Sequence, residues 1–341
     1  MKILNRRVLP ENITESLTES IKDWRTYSGL VAAAVGVAAV GVTAQHVRRP
    51  RDLRWLDHVH MLPHPTTSNF RVVDGIRIHY QEQFIDRDSE VIILLHGFCS
   101  STYTWKDCFN SLVEAGYRVI APDLKGFGFS EKPIDKQYSI IHQVNMIVRL
   151  MDSLGIKKAS FVGNSYGGAI SMACALRHPE RVKNLVLLAP AHNNDAINRR
   201  LLKSSQWFVK STGADLVAPL FLGSPNVLRF YMSKMFYNKS LLTEERYDAY
   251  LRPLKTANGQ MAALTTIRQW QLEWIEAEMK KISVPTLIIW GEEDWALPVE
   301  WGADIHFSIT KSEFIVIPEC GHLPQEELPE DTCKLILDFC L

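Results

Sequence analysis

The sequence predicts an α/β fold: a mostly parallel sheet covered by helices on both faces and interrupted once by a helical insertion. Three observations predict it. Short, nearly continuous apolar runs recur along residues 91–320. Amphipathic stretches of helical period separate most of them. One long segment, residues 192–278, has helical patterning and no buried strand. Strands that alternate with helices imply parallel pairing, because a parallel connection needs a crossover and the crossover helices cover the sheet.

The elements follow in order. Phe70–Val73 and Ile76–Tyr80 alternate around Asp74-Gly75, a hairpin signal. VIILLHGF (91–98) is a run of the kind that forms a strand buried on both faces. YRVIAPDL (117–124), ASFVGNS (159–165), VKNLVLLAP (182–190), PTLIIWGEED (285–294) and SEFIVIPEC (312–320) repeat it. Helices are predicted near 103–115, 139–154, 166–178, 299–308 and 327–340. The implied organisation is an N-terminal region (1–68), a core (69–191 and 279–341) and a helical cap (192–278). Residues 55–68, with two prolines, three histidines and no clear period, read as a linker.

The 341 residues are 46% apolar and 22% charged, which excludes disordered and collagen-like chains. Lys plus Arg (38) equals Asp plus Glu (38), which argues against a nucleic-acid partner. The six cysteines form no CxxC pair, so a zinc site is not expected and most of the cysteines read as buried thiols. Residues 26–47 contain no Lys, Arg, Asp or Glu. A helix of that length is about 33 Å long, enough to cross a hydrocarbon core. A single membrane-inserted anchor is the preferred reading, ahead of a cleaved signal or an Ala-rich soluble helix. Arg48, Arg49, Arg51 and Arg54 follow it closely, which places the downstream domain on the cytoplasmic side by the positive-inside bias.

The chemistry concentrates at Gly163-Asn164-Ser165-Tyr166-Gly167. This G-x-S-x-G lies where an apolar strand gives way to a helix. The two glycines let backbones approach at a sharp turn that exposes the serine hydroxyl above the sheet. A serine needs a base, and a base needs an orienting carboxylate. Asp294 and His322 follow the ends of two later strands, on the edge where Ser165 emerges. Glu292 and Glu293 are rival carboxylates; the G-x-x-D turn favours Asp294. Oxyanion donors are expected at the backbone N–H of Tyr166 and, from the loop His96-Gly97-Phe98-Cys99-Ser100, at that of Phe98. Cys99 reads as a small loop residue rather than a second nucleophile. This chemistry calls for no metal or organic cofactor.

At these residues the chain resembles the α/β-hydrolase superfamily over residues 69–341. The motifs are His96-Gly97, Asp123 through Ser130 with Pro133, the elbow Gly163–Gly168, Gly291–Asp294, and Gly321-His322-Leu323-Pro324 with Glu326. The resemblance implies an eight-stranded, mostly parallel sheet, a cap inserted after the sixth strand, and nucleophile, acid and base roles for Ser165, Asp294 and His322. Members with an Asp nucleophile, the epoxide hydrolases and haloalkane dehalogenases, differ at Ser165. The carbon–carbon bond hydrolases of ring-cleavage products share the G-N-S-x-G-G elbow but carry Trp where Leu323 stands. An anchored monoacylglycerol-type lipase has a similar architecture. The cap is rich in Trp207, Phe208, Phe221, Phe230, Tyr231, Met232, Met235, Phe236, Tyr237, Trp270 and Trp274. The expected substrate is a small, hydrophobic carboxylic ester. A C–C bond hydrolase of a vinylogous diketone and a non-catalytic ligand-binding member of the fold are the alternatives.

Overall fold

The computed structural model of the protein describes residues 50–195, 214–215 and 221–340. The predicted span 26–47 and the cap aromatics Trp207 and Phe208 lie outside the described residues. Among the described residues no helix is long and apolar enough to cross a membrane.

Eight strands form one sheet: β1 (Ser68–Val73), β2 (Ile76–Gln83), β3 (Val91–Leu95), β4 (Arg118–Pro122), β5 (Ala159–Asn164), β6 (Val182–Leu188), β7 (Thr286–Gly291) and β8 (Ser312–Ile317). Their order is β1-β2-β4-β3-β5-β6-β7-β8. β1 and β2 form the antiparallel hairpin, with Val73 opposite Ile76, and β2 pairs antiparallel with β4. The turn residues Asp74 and Gly75 take φ +50° and +78°, as a two-residue hairpin loop requires. The remaining pairings, from β4 through β3 to β8, are parallel.

The apolar runs are continuous because successive side chains point to opposite faces and both faces are covered. Ile93, Leu95, Phe161, Leu187 and Trp290 pack on one side, with the helices Ile140–Ser153 and Tyr166–Arg177. Ile92, Leu94, Val162, Leu188 and Ile289 pack on the other, with Phe109–Glu114 and Pro329–Cys340. Trp290 is fully buried and donates its indole N–H to Leu297 O at 3.1 Å, so no polar atom of this large side chain is stranded.

Residues 55–68 depart from the linker expected of them. Trp55 opens a short helix (Trp55–His58), and its ring lies 5.1–5.2 Å from those of Phe70, His79 and Phe129. His64 Nε2 bonds Lys106 O at 2.9 Å, and Ser68 already belongs to β1. The reason is tertiary: a segment without a period of its own is ordered by aromatic partners far along the chain.

Between β6 and β7 the described chain is helical, with Pro225–Met235, Glu244–Leu254, Ala257–Arg268 and Glu273–Glu278 as its main helices. Ser224, Thr243 and Thr256 each cap their helix by accepting the backbone N–H three residues on. Met232, Phe236 and Tyr250 of this cap join Tyr103 and Leu323 of the core in a small apolar cluster. Residues 50–52 brace its far end: Ala257 N donates to Pro50 O (3.0 Å), Asn258 N to Arg51 O (2.9 Å), and Lys132 pairs with Asp52 at 2.7 Å.

Candidate active site

The residues expected to react or to bind the oxyanion stand beyond the C-terminal ends of parallel strands. His96, Gly97 and Phe98 follow β3, Ser165 follows β5, Asp294 follows β7 and His322 follows β8. Ser165 sits at φ +51°, ψ −112°, a conformation that costs a non-glycine residue about 1–3 kcal/mol. Its surroundings hold it there. Ser165 N donates to Leu188 O at 2.9 Å, and its carbonyl accepts from Ala191 N (3.0 Å) and Ala169 N (3.1 Å). The two glycines are required by contact. A Cβ on Gly163 would lie 2.4 Å from Gly167 O, and one on Gly167 would lie 2.1 Å from Leu95 O.

The loop after β3 passes directly beside the serine. A Cβ on Gly97 would lie 3.5 Å from Ser165 Cβ and 3.1 Å from Asn164 Oδ1. His96 fixes that loop: its Nδ1–H donates to Gly97 O at 2.7 Å, and its Nε2 accepts from Leu124 N at 3.0 Å. Burial pushes the His96 pKa down, so the ring is the neutral acceptor that this bond needs. Burial also pushes the Cys99 thiol up, away from the reactive thiolate. Tyr166 is the first residue of its helix, so its N–H has no intrahelical acceptor.

His322 and Asp294 meet. Nδ1 lies 2.7 Å from Asp294 Oδ2, and both side chains are almost wholly buried. A carboxylate only accepts, which places the proton on Nδ1 and leaves Nε2 with its lone pair. The other Asp294 oxygen accepts from Ala296 N (2.8 Å) and Leu297 N (2.9 Å), so the carboxylate is held at both ends. Glu292 and Glu293 are exposed, and of the three carboxylates Asp294 is the one bonded to the histidine. Asn164 joins this pair to the elbow: its Nδ2 donates to His322 O and to Leu188 O, each at 3.1 Å. The residue preceding the serine thus bonds the backbone of the histidine.

An aromatic wall rises from the same place. Trp270, reaching in from the cap, stacks on Tyr166 at 4.8 Å and meets Phe98 edge-on at 5.8 Å. Trp274 lies instead under the Arg177 guanidinium at 4.2 Å, and Phe221, Phe230 and Tyr237 are exposed. The cap aromatics therefore divide among the site, the cap–core seam and the surface.

A family model described as the alpha/beta hydrolase fold matches residues 90–329. The chain belongs to this family. An uncharacterized hydrolase of Bacillus subtilis (strain 168), YugF, is 30% identical over 270 residues, covering 78% of this chain and 95% of that protein. The 2-hydroxymuconate semialdehyde hydrolase of Pseudomonas sp. (strain CF600) is 31% identical over 252 residues, covering 73% and 86%. Among solved structures, a bacterial membrane phospholipase A superposes with a TM-score of 0.69 at 23% identity, over 96% of this chain and 98% of that one, a likeness of fold.

Two residues near the candidate site, Glu326, part of the C-terminal motif, and Glu327, make more contacts than their sequence position announces. Glu326 accepts from Thr104 Oγ1 at 2.6 Å and from the Tyr250 hydroxyl, and lies 3.0 Å from Arg246 Nε. Glu327 accepts from Gly321 N (2.8 Å), Tyr237 N (2.8 Å) and Asn238 N (2.9 Å). For Glu327 the local signal was only an acidic pair between Pro324 and Pro329, which by itself resembles an ordinary charged helix start.

Proposed function

We propose that this hydrolase cleaves a carboxylic ester with an apolar acyl group through an acyl-enzyme on Ser165. The observation that carries the reading is the Asn164 bridge. It ties a serine on a strained strand-to-helix turn to the backbone of a histidine whose other side is bonded to Asp294. In this reading Ser165 Oγ attacks the ester carbonyl while His322 Nε2 takes the hydroxyl proton. The carbonyl oxygen gains the negative charge and is met by the N–H groups of Phe98 and Tyr166. The C–O bond to the leaving group breaks, and the proton passes from His322 to the departing alcohol. Water then attacks the acyl-enzyme, gives its proton to His322, and the acid departs as Ser165 recovers its own. Asp294 holds the imidazole tautomer and stabilises the imidazolium.

The apolar acyl preference rests on the wall of Phe98, Tyr166 and Trp270. Cleavage of a C–C bond beside a carbonyl is the second reading, favoured by the 31% identity to 2-hydroxymuconate semialdehyde hydrolase. Both use the same nucleophile. Against the second stands Leu323, buried among Met232 and Phe236 beside His322, where the ring-cleavage hydrolases carry Trp. The test pairs a fluorophosphonate probe with p-nitrophenyl esters from acetate to laurate and a vinylogous diketone acid. Labelling and ester turnover are expected, lost on the order of 10³-fold or more in Ser165→Ala, with longer chains preferred over acetate. Turnover of the diketone with none of the esters reverses the order of the two readings. Absence of labelling removes both. We further propose that residues 26–47 anchor the protein to a membrane.

A further inference from the structure

His322 lies in a stretch whose neighbours on both sides are seated in the cap. Its own N–H donates to Met235 O at 2.7 Å, the last carbonyl of the helix Pro225–Met235. Gly321 is pressed so close to the same carbonyl that a Cβ there would lie 2.3 Å from it. Leu323 is buried in the apolar cluster with Met232, Phe236 and Tyr250. Five residues beyond the histidine, Glu327 divides its two oxygens. Oε1 accepts from Gly321 N, and Oε2 accepts from Tyr237 N and Asn238 N of the cap turn. Burial raises the Glu327 pKa, and the three amides work in the opposite direction.

The arithmetic of these groups is one-sided. Lifting the turn 235–238 off the core breaks three hydrogen bonds: His322 N to Met235 O, and the two cap amides to Glu327. Met235 O, as a helix-terminal carbonyl, has no intrahelical donor to fall back on. The first restrains His322 directly; the other two restrain Glu327, whose Oε1 in turn holds Gly321 N.

We propose that Glu327 is a positioning residue for His322 and that the cap turn Met235–Asn238 forms the other half of its socket. Seating the cap and placing the imidazole are then one event, and the cap belongs to the catalytic machinery rather than lying over it. The inference rests on His322 acting as the base for Ser165.

The test uses the full-length protein and two readouts that need no natural substrate: the rate of fluorophosphonate labelling, and kcat and KM on a p-nitrophenyl ester. Thermal midpoints are recorded beside them. In Glu327→Gln the amide nitrogen cannot accept from the N–H groups it meets, and the socket loosens. A misplacement of 1 Å costs about 10²-fold, so labelling and kcat are expected to fall together by about 10- to 100-fold, with KM changing far less. Asn238 sits at φ −82°, close to the angle proline imposes, so Asn238→Pro keeps the backbone angle while deleting one clamp donor and turning its ring against the Glu327 carboxylate. Asn238→Ala keeps that donor while losing the same side chain. The proline variant is expected to be slower than the alanine variant in both readouts. The Glu327→Gln/Asn238→Pro double variant is expected to be no slower than Glu327→Gln alone, because both act on one clamp.

A brace of stability only would lower the thermal midpoint of Glu327→Gln while labelling and kcat stayed at wild-type values, and that result overturns the proposal. So would multiplicative losses in the double variant. Should Glu327→Gln fail to fold, the proline and alanine pair decides, equality between them being the overturning result. Failure of the wild-type protein to label is a different outcome: it removes the role of Ser165 and the inference built on it.

Discussion

At the scale of single residues, the candidate site was legible where its geometry is local. The elbow needs glycines at 163 and 167 because backbone oxygens lie 2.4 and 2.1 Å from where their Cβ atoms would stand, and such a need is written in the sequence itself. The choice among Glu292, Glu293 and Asp294 was less legible, since all three follow the same strand. The turn that buries Asp294 against Ala296 N and Leu297 N is what separates them. His192 gave no signal, because its character comes from burial. It is 2% exposed, lies edge-on to Trp301 at 5.1 Å, and its Nε2 accepts from Asn193 at 3.1 Å. Burial pushes its pKa down to about 4 from 6.5. The unfolded chain takes up this proton near 6.5 and the folded chain does not until about 4. Stability is therefore fully present above pH 6.5 and is lost as the pH falls toward 4, by on the order of 3 kcal/mol at the lower limit. Urea titrations at several pH values across that window are expected to show a shallower decline for His192→Gln than for the wild type. An identical slope in the two proteins would take His192 out of the account.

At the scale of elements, the strands and their flanking helices follow from period and run length, and they appear within a few residues of the expected bounds. What the sequence did not disclose is how the elements are fastened together. Arg246 lies in the helix Glu244–Leu254 and Glu326 follows β8, so their pairing at 3.0 Å joins positions 80 residues apart. No periodic pattern encodes such a contact. The pair is almost fully removed from water, with side-chain exposures of 6% and 0%. Thr104 and Tyr250 share the Glu326 carboxylate, fastening the segment that follows the Gly97 loop to the cap. Replacing one partner leaves a buried charge alone, which costs about 3–5 kcal/mol, whereas replacing both with apolar side chains of similar volume is nearly neutral. Glu326→Leu is expected to lower the unfolding free energy by that amount, and Glu326→Leu/Arg246→Met to recover most of it. If the double variant is as unstable as the single, hydrogen bonds from Thr104 and Tyr250, not the ion pair, hold the seam.

At the scale of the whole molecule, the compact unit Pro50–Leu341 contains the entire sheet, the described cap helices, and all of Ser165, Asp294 and His322. The residues proposed for the chemistry all lie within this unit. In the anchor proposed for residues 26–47, a helix of these 22 uncharged residues at 1.5 Å each would reach about 33 Å, the thickness of a hydrocarbon core. Confinement to a surface raises the effective concentration of any substrate dissolved in that surface and leaves a freely diffusing one unaffected. Deleting 26–47 is thus expected to separate two activities that an intrinsic defect would reduce together. Turnover of a water-soluble short-chain ester and labelling of Ser165 should persist, while turnover of a long-chain ester presented in lipid vesicles should fall. Carbonate extraction supplies the physical half of the experiment: the full-length chain should stay with the membrane pellet and the deletion variant should leave it. Release of the full-length chain by carbonate removes the anchor from the proposal. Equal loss on both substrates would instead assign residues 26–47 a part in folding the catalytic unit.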